Sequence, residues 1–340
     1  MTPHFVLHVG PHKTGTTYLQ SVFTIHHALL REKGIHYPID QGSIQGHFHL
    51  AELLREGALP ALRDQFALFR ASSAATILLS SESFVFLDRP QLALLLDLIA
   101  PSPVTVVFYC RRPSEILLSG WREVVKHGVT TTLPEFITRA LTGGSEAATV
   151  NLSIPITRLA GVFGADRLRL VPYNTVLERG ANLFQHFCAH VLDWADAPEP
   201  TIRRMNPSLS MADAELLRMV NVLEYRRVGD ARERLYERFV ANRPDLGLEP
   251  LAEAMTGYVA DLPINEQTAP FLGWHRAVIE RFGAALTEGA GLFTPKDTTI
   301  PYIRPDYLAE PGIIDRMHAL HAQLLSLPNP DPWQFTLRYL

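Results

Sequence analysis

The chain has 340 residues, 47% of them hydrophobic and 19% charged. This is the composition of a globular protein with a sizeable core, long enough for one large or two ordinary domains. A net charge of −4, from 31 basic and 35 acidic side chains, is too mild to imply a nucleic-acid or membrane partner, so any anion site must be local. The two cysteines, Cys110 and Cys188, are too few for a disulfide framework or a metal cluster and fit a reducing compartment. No run reaches the ~18 consecutive apolar residues of a membrane span, and no basic region precedes a long apolar run at the N-terminus. The expectation is a cytoplasmic protein without a membrane span. Its fourteen histidines are scattered without metal-ligand spacing, so no metal site is expected.

In chain order, residues 5–9 read as a buried strand that enters a glycine-containing turn at once. A helix follows, with Leu19, Val22 and Phe23 at helical spacing and Gly34 as its C-terminal cap. Residues 35–37 form a weaker strand candidate, and 76–79, 104–110 and 168–171 are clear ones. Pro113 opens a helix with Ile116, Leu117 and Trp121 on its apolar side, ending near Gly128. Short β-branched runs alternating with helices predict a parallel sheet covered on both faces. After about Asp193 the composition changes. Residues 195–209 carry Pro198, Pro200 and Pro207, and helical patterns cover 211–226, 230–241 and 271–285. The expected fold class is α/β, a three-layer fold like that of P-loop NTPases with a central parallel sheet. The core spans 1–195, and a helical extension over 196–340 packs on it.

The strongest chemical signal is the turn Gly10, Pro11, His12, Lys13, Thr14, Gly15, Thr16, Thr17. A strand, a glycine turn and an immediate helix put backbone N–H groups around a helix N-terminus, where an anion is favoured. Gly10 and Gly15 allow the tight turn, Thr16 and Thr17 add hydroxyls, and Lys13 adds a positive charge. The two glycines have the spacing of a nucleotide-kinase loop, but Thr16 follows the second one where that loop has lysine. The cation sits earlier, at Lys13. A second candidate anion site follows the strand at 104–110, where Arg111 and Arg112 precede the helix at Pro113 and Ser119 lies two turns in. An arginine at the carboxyl end of such a strand faces the ligand crevice and can grip a phosphate bidentately.

The segment 5–20 resembles the 5′-phosphosulfate loop of the sulfotransferase family, whose mark is a lysine two residues before the glycine and a Thr-Thr pair after it. That family moves the sulfuryl group of 3′-phosphoadenosine 5′-phosphosulfate (PAPS) to an acceptor hydroxyl or amine. The resemblance implies that Lys13 contacts the bridging oxygen of the phosphosulfate, and that Thr14, Gly15, Thr16 and Thr17 hold the 5′-phosphate. His12 joins them as a cofactor-binding candidate. Arg111, Pro113 and Ser119 match the spacing of the family's 3′-phosphate motif, which leaves Arg112 as the less direct residue. Pro172, Tyr173 and Asn174 are similar to a softer family segment, which implies that Tyr173 borders the adenine. The late Arg-Lys-Gly segment of the cytosolic enzymes has no match here; residues 203–208, with Arg203, Arg204, Asn206 and Ser208, could substitute.

Sulfuryl transfer needs charge stabilisation at the leaving oxygen and a base near the nucleophile. Lys13 suits the first role. For the second, Glu82 follows the strand at 76–79 where carbohydrate-modifying family members carry a glutamate, whereas small-molecule members use a histidine. His47 and His49 are the rivals, since an ordinary imidazole suits a general base. His4, His8, His26, His27 and His127 receive no role, and Trp121 reads as core. Trp274, His275 and Trp333 are candidates for an acceptor pocket. The acceptor itself, a small molecule or carbohydrate, and the oligomeric state are open. Two competing readings share the fold. A P-loop kinase using ATP calls for a lysine after the second glycine and a Walker-type aspartate, and neither is evident. A non-catalytic nucleotide-binding scaffold calls for loss of Lys13 or of the arginine–serine pair, and both are present.

Overall fold

The fold comes from a computed structural model that describes residues 2–39, 46–143, 147–200, 209–228 and 235–330. Its centre is a five-stranded parallel sheet in the order β2–β3–β1–β4–β5. The strands are β1 (His4–His8), β2 (Ile35–His36), β3 (Thr76–Ser80), β4 (Val104–Cys110) and β5 (Leu168–Pro172). They coincide with the five predicted runs to within a residue or two.

Alternate strand residues point to opposite faces, and both faces are apolar. On one face, Val6, Leu78, Val107, Tyr109 and Val171 join a buried cluster with Leu19, Val22 and Phe23 of α1 (Thr16–Ile25) and with Phe184 and Phe187 of the helix Leu183–Val191. On the other, Phe5 stacks on Phe66 of the helix Leu59–Ala71, with ring centroids 5.8 Å apart. Each such side chain contributes about 1.5–3 kcal/mol by leaving water. The result is the expected three-layer α/β fold. The first predicted helix breaks at His26 into α1 and α2 (His27–Glu32) before the turn at Gly34.

The strand order places the crevice. From β1 the chain builds β2 and β3 on one side, then returns to build β4 and β5 on the other. Ligands of open α/β sheets bind beyond the strand carboxyl ends at such a reversal. The residues that emerge there are Gly10 after β1, Glu82 after β3 and Arg111 after β4.

The chain forms two compact units that interleave in sequence. The first, which holds the sheet, comprises Met1–Pro113, Ala148–Arg204 and Gln267–Pro295. The second comprises Ser114–Ala147, Met205–Glu266 and Lys296–Leu340. A single division at 195 therefore does not describe how the chain is partitioned. The part beyond 195 is also not wholly helical. The strands β6 (Val259–Asn265) and β7 (Asp297–Ile303) pair antiparallel, with Asp261 opposite Pro301 and Pro263 opposite Thr299. A proline inside each strand hides this ribbon from a pattern search, because proline cannot donate to the ladder.

The predicted helices at 211–226 and 271–285 are Met211–Val228 and Phe271–Phe282, the latter followed by the 3₁₀ turn Gly283–Ala285. The pattern at 230–241 yields Tyr236–Asn242 among the described residues. Within the second unit, Met211–Val228 packs on the helix Ile313–Ser326, with Glu224 accepting from His321 Nε2 at 2.7 Å. The segment 203–208 and Trp333 lie outside the described residues. Among the described residues no helix is long and apolar enough to cross a membrane, and no group of three or more His, Cys, Asp or Glu side chains could hold a metal ion.

Candidate active site

The turn after β1 is strapped to both neighbouring strands. The Val9 N–H donates to Val107, the Tyr109 N–H donates to Gly10, and the Ser81 N–H donates to His8, each at 3.0 Å. Two glycines are required by this geometry. Gly10 has φ +89°, and a Cβ there would stand 3.1 Å from Cα and Cβ of Glu82. Gly15 has φ +78°, and a Cβ there would stand 2.6 Å from Leu183 Cδ1. Lys13 also adopts a left-handed backbone, with φ 68°. That conformation costs a non-glycine residue about 1–2 kcal/mol, and such strain gathers at functional sites.

Gly15 is the N-cap of α1 and offers no side chain to the helix, whose first turn carries no acidic residue. The first N–H groups of a helix have no intrahelical partner, so this end presents bare donors and the positive end of the helix dipole. The threonines divide the work. Thr14 is fully buried, and its hydroxyl donates to the Pro11 carbonyl at 2.6 Å, bracing the turn from inside. Thr14 therefore offers an anion its backbone rather than its hydroxyl. Thr16 and Thr17 open α1.

Arg111 leaves the end of β4 and donates from Nη1 to the carbonyl of Lys13, 98 positions away in sequence. Its guanidinium lies over the Tyr173 ring, 5.4 Å from the centroid. Tyr173 is itself packed edge-on against Tyr109 at 6.4 Å. Burial pushes the Tyr109 phenol well above its ordinary pKa, which keeps it neutral beneath this cation. Arg112 does different work. It is almost wholly buried, with Nη2 paired to Glu178 at 2.9 Å and Nε donating to the Thr294 carbonyl at 3.2 Å. It ties the end of β4 to Glu178 and to the Thr294 carbonyl. Ser119 lies in the second unit, where its hydroxyl donates to the Glu115 carbonyl at 2.6 Å. A part for Ser119 in anion binding rests on sequence spacing.

Glu82 opens the 3₁₀ turn Glu82–Phe86 directly after β3 and is nearly buried. Its Oε2 accepts from Gln20 Nε2 at 2.9 Å, and its Oε1 stands 3.7 Å from Nδ1 of His12. Gln20 is a buried residue of α1, one turn beyond Thr16. The carboxylate, the loop histidine and the glutamine thus meet beside Lys13. Sequence reading passed over Gln20. Its only signal was a polar side chain on the buried side of an apolar helix.

His47 is buried, and its Nδ1 accepts from the Ser80 N–H at 3.0 Å. Burial lowers its pKa to about 4, so it is neutral at pH 7. His49 lies on the exposed side of the helix Phe48–Glu56, its Nδ1 3.8 Å from Glu52. His8 is also internal. It bonds to the Ser80 hydroxyl at 2.8 Å across the β1–β3 register, and burial lowers its pKa to about 3. Trp274 and His275, the acceptor-pocket candidates, line a narrow apolar cleft with Phe271, Phe293 and Leu152.

No protein-family model matches the chain, and no curated protein matches it. Among solved structures it is similar to the crystal structure of a sulfotransferase from Alicyclobacillus acidocaldarius, at 14% identity and a TM-score of 0.41. That alignment covers 65% of this chain and 94% of the other.

Proposed function

We propose that the protein is a sulfotransferase that moves the sulfuryl group of PAPS to an acceptor hydroxyl or amine. The observation that carries this reading is the meeting of two anion motifs: Arg111 at the end of β4 hydrogen-bonded to the backbone of Lys13 in the turn after β1. A fit to PAPS is supported by the bare N-terminus of α1, which suits the 5′-phosphate, and by the arginine fork, which suits the 3′-phosphate. The position of Lys13 favours sulfuryl transfer over ATP chemistry, because the cation precedes the second glycine and no lysine follows it.

In this reading the turn from Gly15 to Thr17 binds and orients the phosphosulfate through backbone and hydroxyl donors. Lys13 neutralises charge that develops on the bridging oxygen as the S–O bond breaks. Arg111 holds the far phosphate and steadies the Lys13 backbone. Glu82 supplies the carboxylate of the base system that relieves the acceptor of its proton. A hydroxylated acceptor, including a carbohydrate, suits that carboxylate. Calorimetry with PAPS, adenosine 3′,5′-bisphosphate and ATP tests the reading. Binding of both adenosine bisphosphate species, and transfer from PAPS to members of an acceptor panel, is the expected result. ATP binding without affinity for either bisphosphate species sinks it.

A further inference from the structure

We propose that His12, rather than Glu82 itself, receives the acceptor's proton, and that Glu82 and Gln20 are positioning residues for its imidazole; this rests on the sulfuryl-transfer reading above. Within the pair the histidine is the accessible partner, with 37% of its side chain exposed against 10% for Glu82. The carboxylate's two oxygens are both directed at protein groups. Oε2 takes the Gln20 amide at 2.9 Å, and Oε1 faces His12 Nδ1 at 3.7 Å. That second separation is ion-pair range and longer than a hydrogen bond, as catalytic contacts often are before substrate binds. The backbone of Glu82 passes close to Gly10, where a Cβ would stand 3.1 Å from Glu82 Cα and Cβ, so the carboxylate is rooted at the turn that carries His12. On its other side the imidazole rests on Phe86, with ring centroids 5.3 Å apart and planes tilted by 33°.

A carboxylate facing Nδ1 selects the tautomer with its proton there, which leaves the Nε2 lone pair as the base. His12 is also the chain neighbour of Lys13, so base and leaving-group cation are carried by adjacent residues of one turn. The step balances. The acceptor oxygen forms a bond to sulfur, the bond from sulfur to the bridging oxygen breaks, and adenosine 3′,5′-bisphosphate leaves with the electron pair. The acceptor's proton passes to Nε2 and then to water. Glu82, from the turn after β3, and Lys13, beside it in sequence, are charged groups that bear on His12.

The natural acceptor is not needed for the test, since release of sulfate from PAPS with water as acceptor reports the same base. The pH dependence of that rate is compared in the full-length protein, His12→Asn, Glu82→Gln and Gln20→Leu, with calorimetric binding of adenosine 3′,5′-bisphosphate as the control for folding. The wild type is expected to show an ascending limb in the histidine range. His12→Asn is expected to lose about 100-fold in rate, together with that limb, while still binding the bisphosphate. Glu82→Gln is expected to lose about tenfold, to keep the limb, and to move it about one unit to lower pH through loss of the carboxylate. Gln20→Leu is expected to move it in the same direction by less. A larger loss in Glu82→Gln than in His12→Asn, with the limb intact in His12→Asn, overturns the assignment in favour of the carboxylate. So does a wild type that binds the bisphosphate yet turns PAPS over no faster than buffer. A wild type that does not bind the bisphosphate is a different failure, because it removes the sulfotransferase reading itself.

Discussion

Lys13 and Arg111 are joined through backbone and side chain, so their substitutions separate two kinds of loss. Lys13→Ala removes the cation nearest the proposed leaving oxygen and leaves the turn's glycines intact. Transfer from PAPS should fall by at least 100-fold while adenosine 3′,5′-bisphosphate still binds within about tenfold, as steady-state kinetics and calorimetry would register. An unchanged kcat would remove Lys13 from the chemistry. Arg111→Ala removes a charged donor from the proposed anion site and also releases the Lys13 carbonyl. It should raise the PAPS KM by about 10–100-fold, as expected from about 1.5–3 kcal/mol of charged hydrogen bonding, and lower kcat as well. Arg111→Lys should recover little of this, because an ammonium cannot reach the carbonyl and grip a phosphate with one planar fork. A full rescue by lysine would mean that Arg111 acts as a point charge only.

At the scale of elements, the turn between β1 and α1 is held by what its glycines lack. Gly15→Ala demands a left-handed alanine and drives a methyl group against Leu183 of the helix Leu183–Val191. About 2 kcal/mol or more of stability should be lost, visible as a lower denaturant midpoint at unchanged m, with weaker bisphosphate binding. Two buried neutral histidines, His8 of β1 and His47 ahead of the helix Phe48–Glu56, both meet Ser80 of β3. Their folded pKa values, about 3 and about 4, lie below the ordinary 6.5. The unfolded chain therefore binds more protons in that window, and stability present above pH 6.5 is lost as pH falls toward 4. His47→Asn keeps an acceptor for the Ser80 N–H and removes the titration. Urea unfolding between pH 6.5 and 4 should show a slope shallower than wild type by roughly 1 kcal/mol per pH unit. Equal slopes would place the acid sensitivity elsewhere.

The whole molecule was legible in proportion to how local each feature is. The turn between β1 and α1 could be read because strand, glycines, lysine and helix follow one another within twenty residues. Arg111 could be read because it ends a buried strand. The pairing of Gln20 with Glu82 spans 62 positions and depends on which strands flank β1, so neither residue alone announces it. His47 sits in a polar stretch of the sequence, yet the Ser80 backbone draws it inside. The two interleaved units were hidden for a related reason, since segment composition says little about which segments share a core. Leu286 bridges to Leu170, and the Thr287 N–H donates to the Leu170 carbonyl at 3.0 Å, so the outer edge of β5 is closed by a stretch far down the chain. A fragment ending at 204 keeps all five strands but leaves that edge bare and Arg112 without the Thr294 carbonyl. It should aggregate or remain insoluble where the full chain is monodisperse by light scattering. A stable, soluble fragment would show that the bridge is dispensable. The same closure bears on how the protein is born. At about 5–20 residues per second, a ribosome needs on the order of ten seconds to extend the chain from Pro172 to Leu286. Throughout that interval the nascent chain lacks the residues that bridge to Leu170, so the outer edge of β5 waits for its partner.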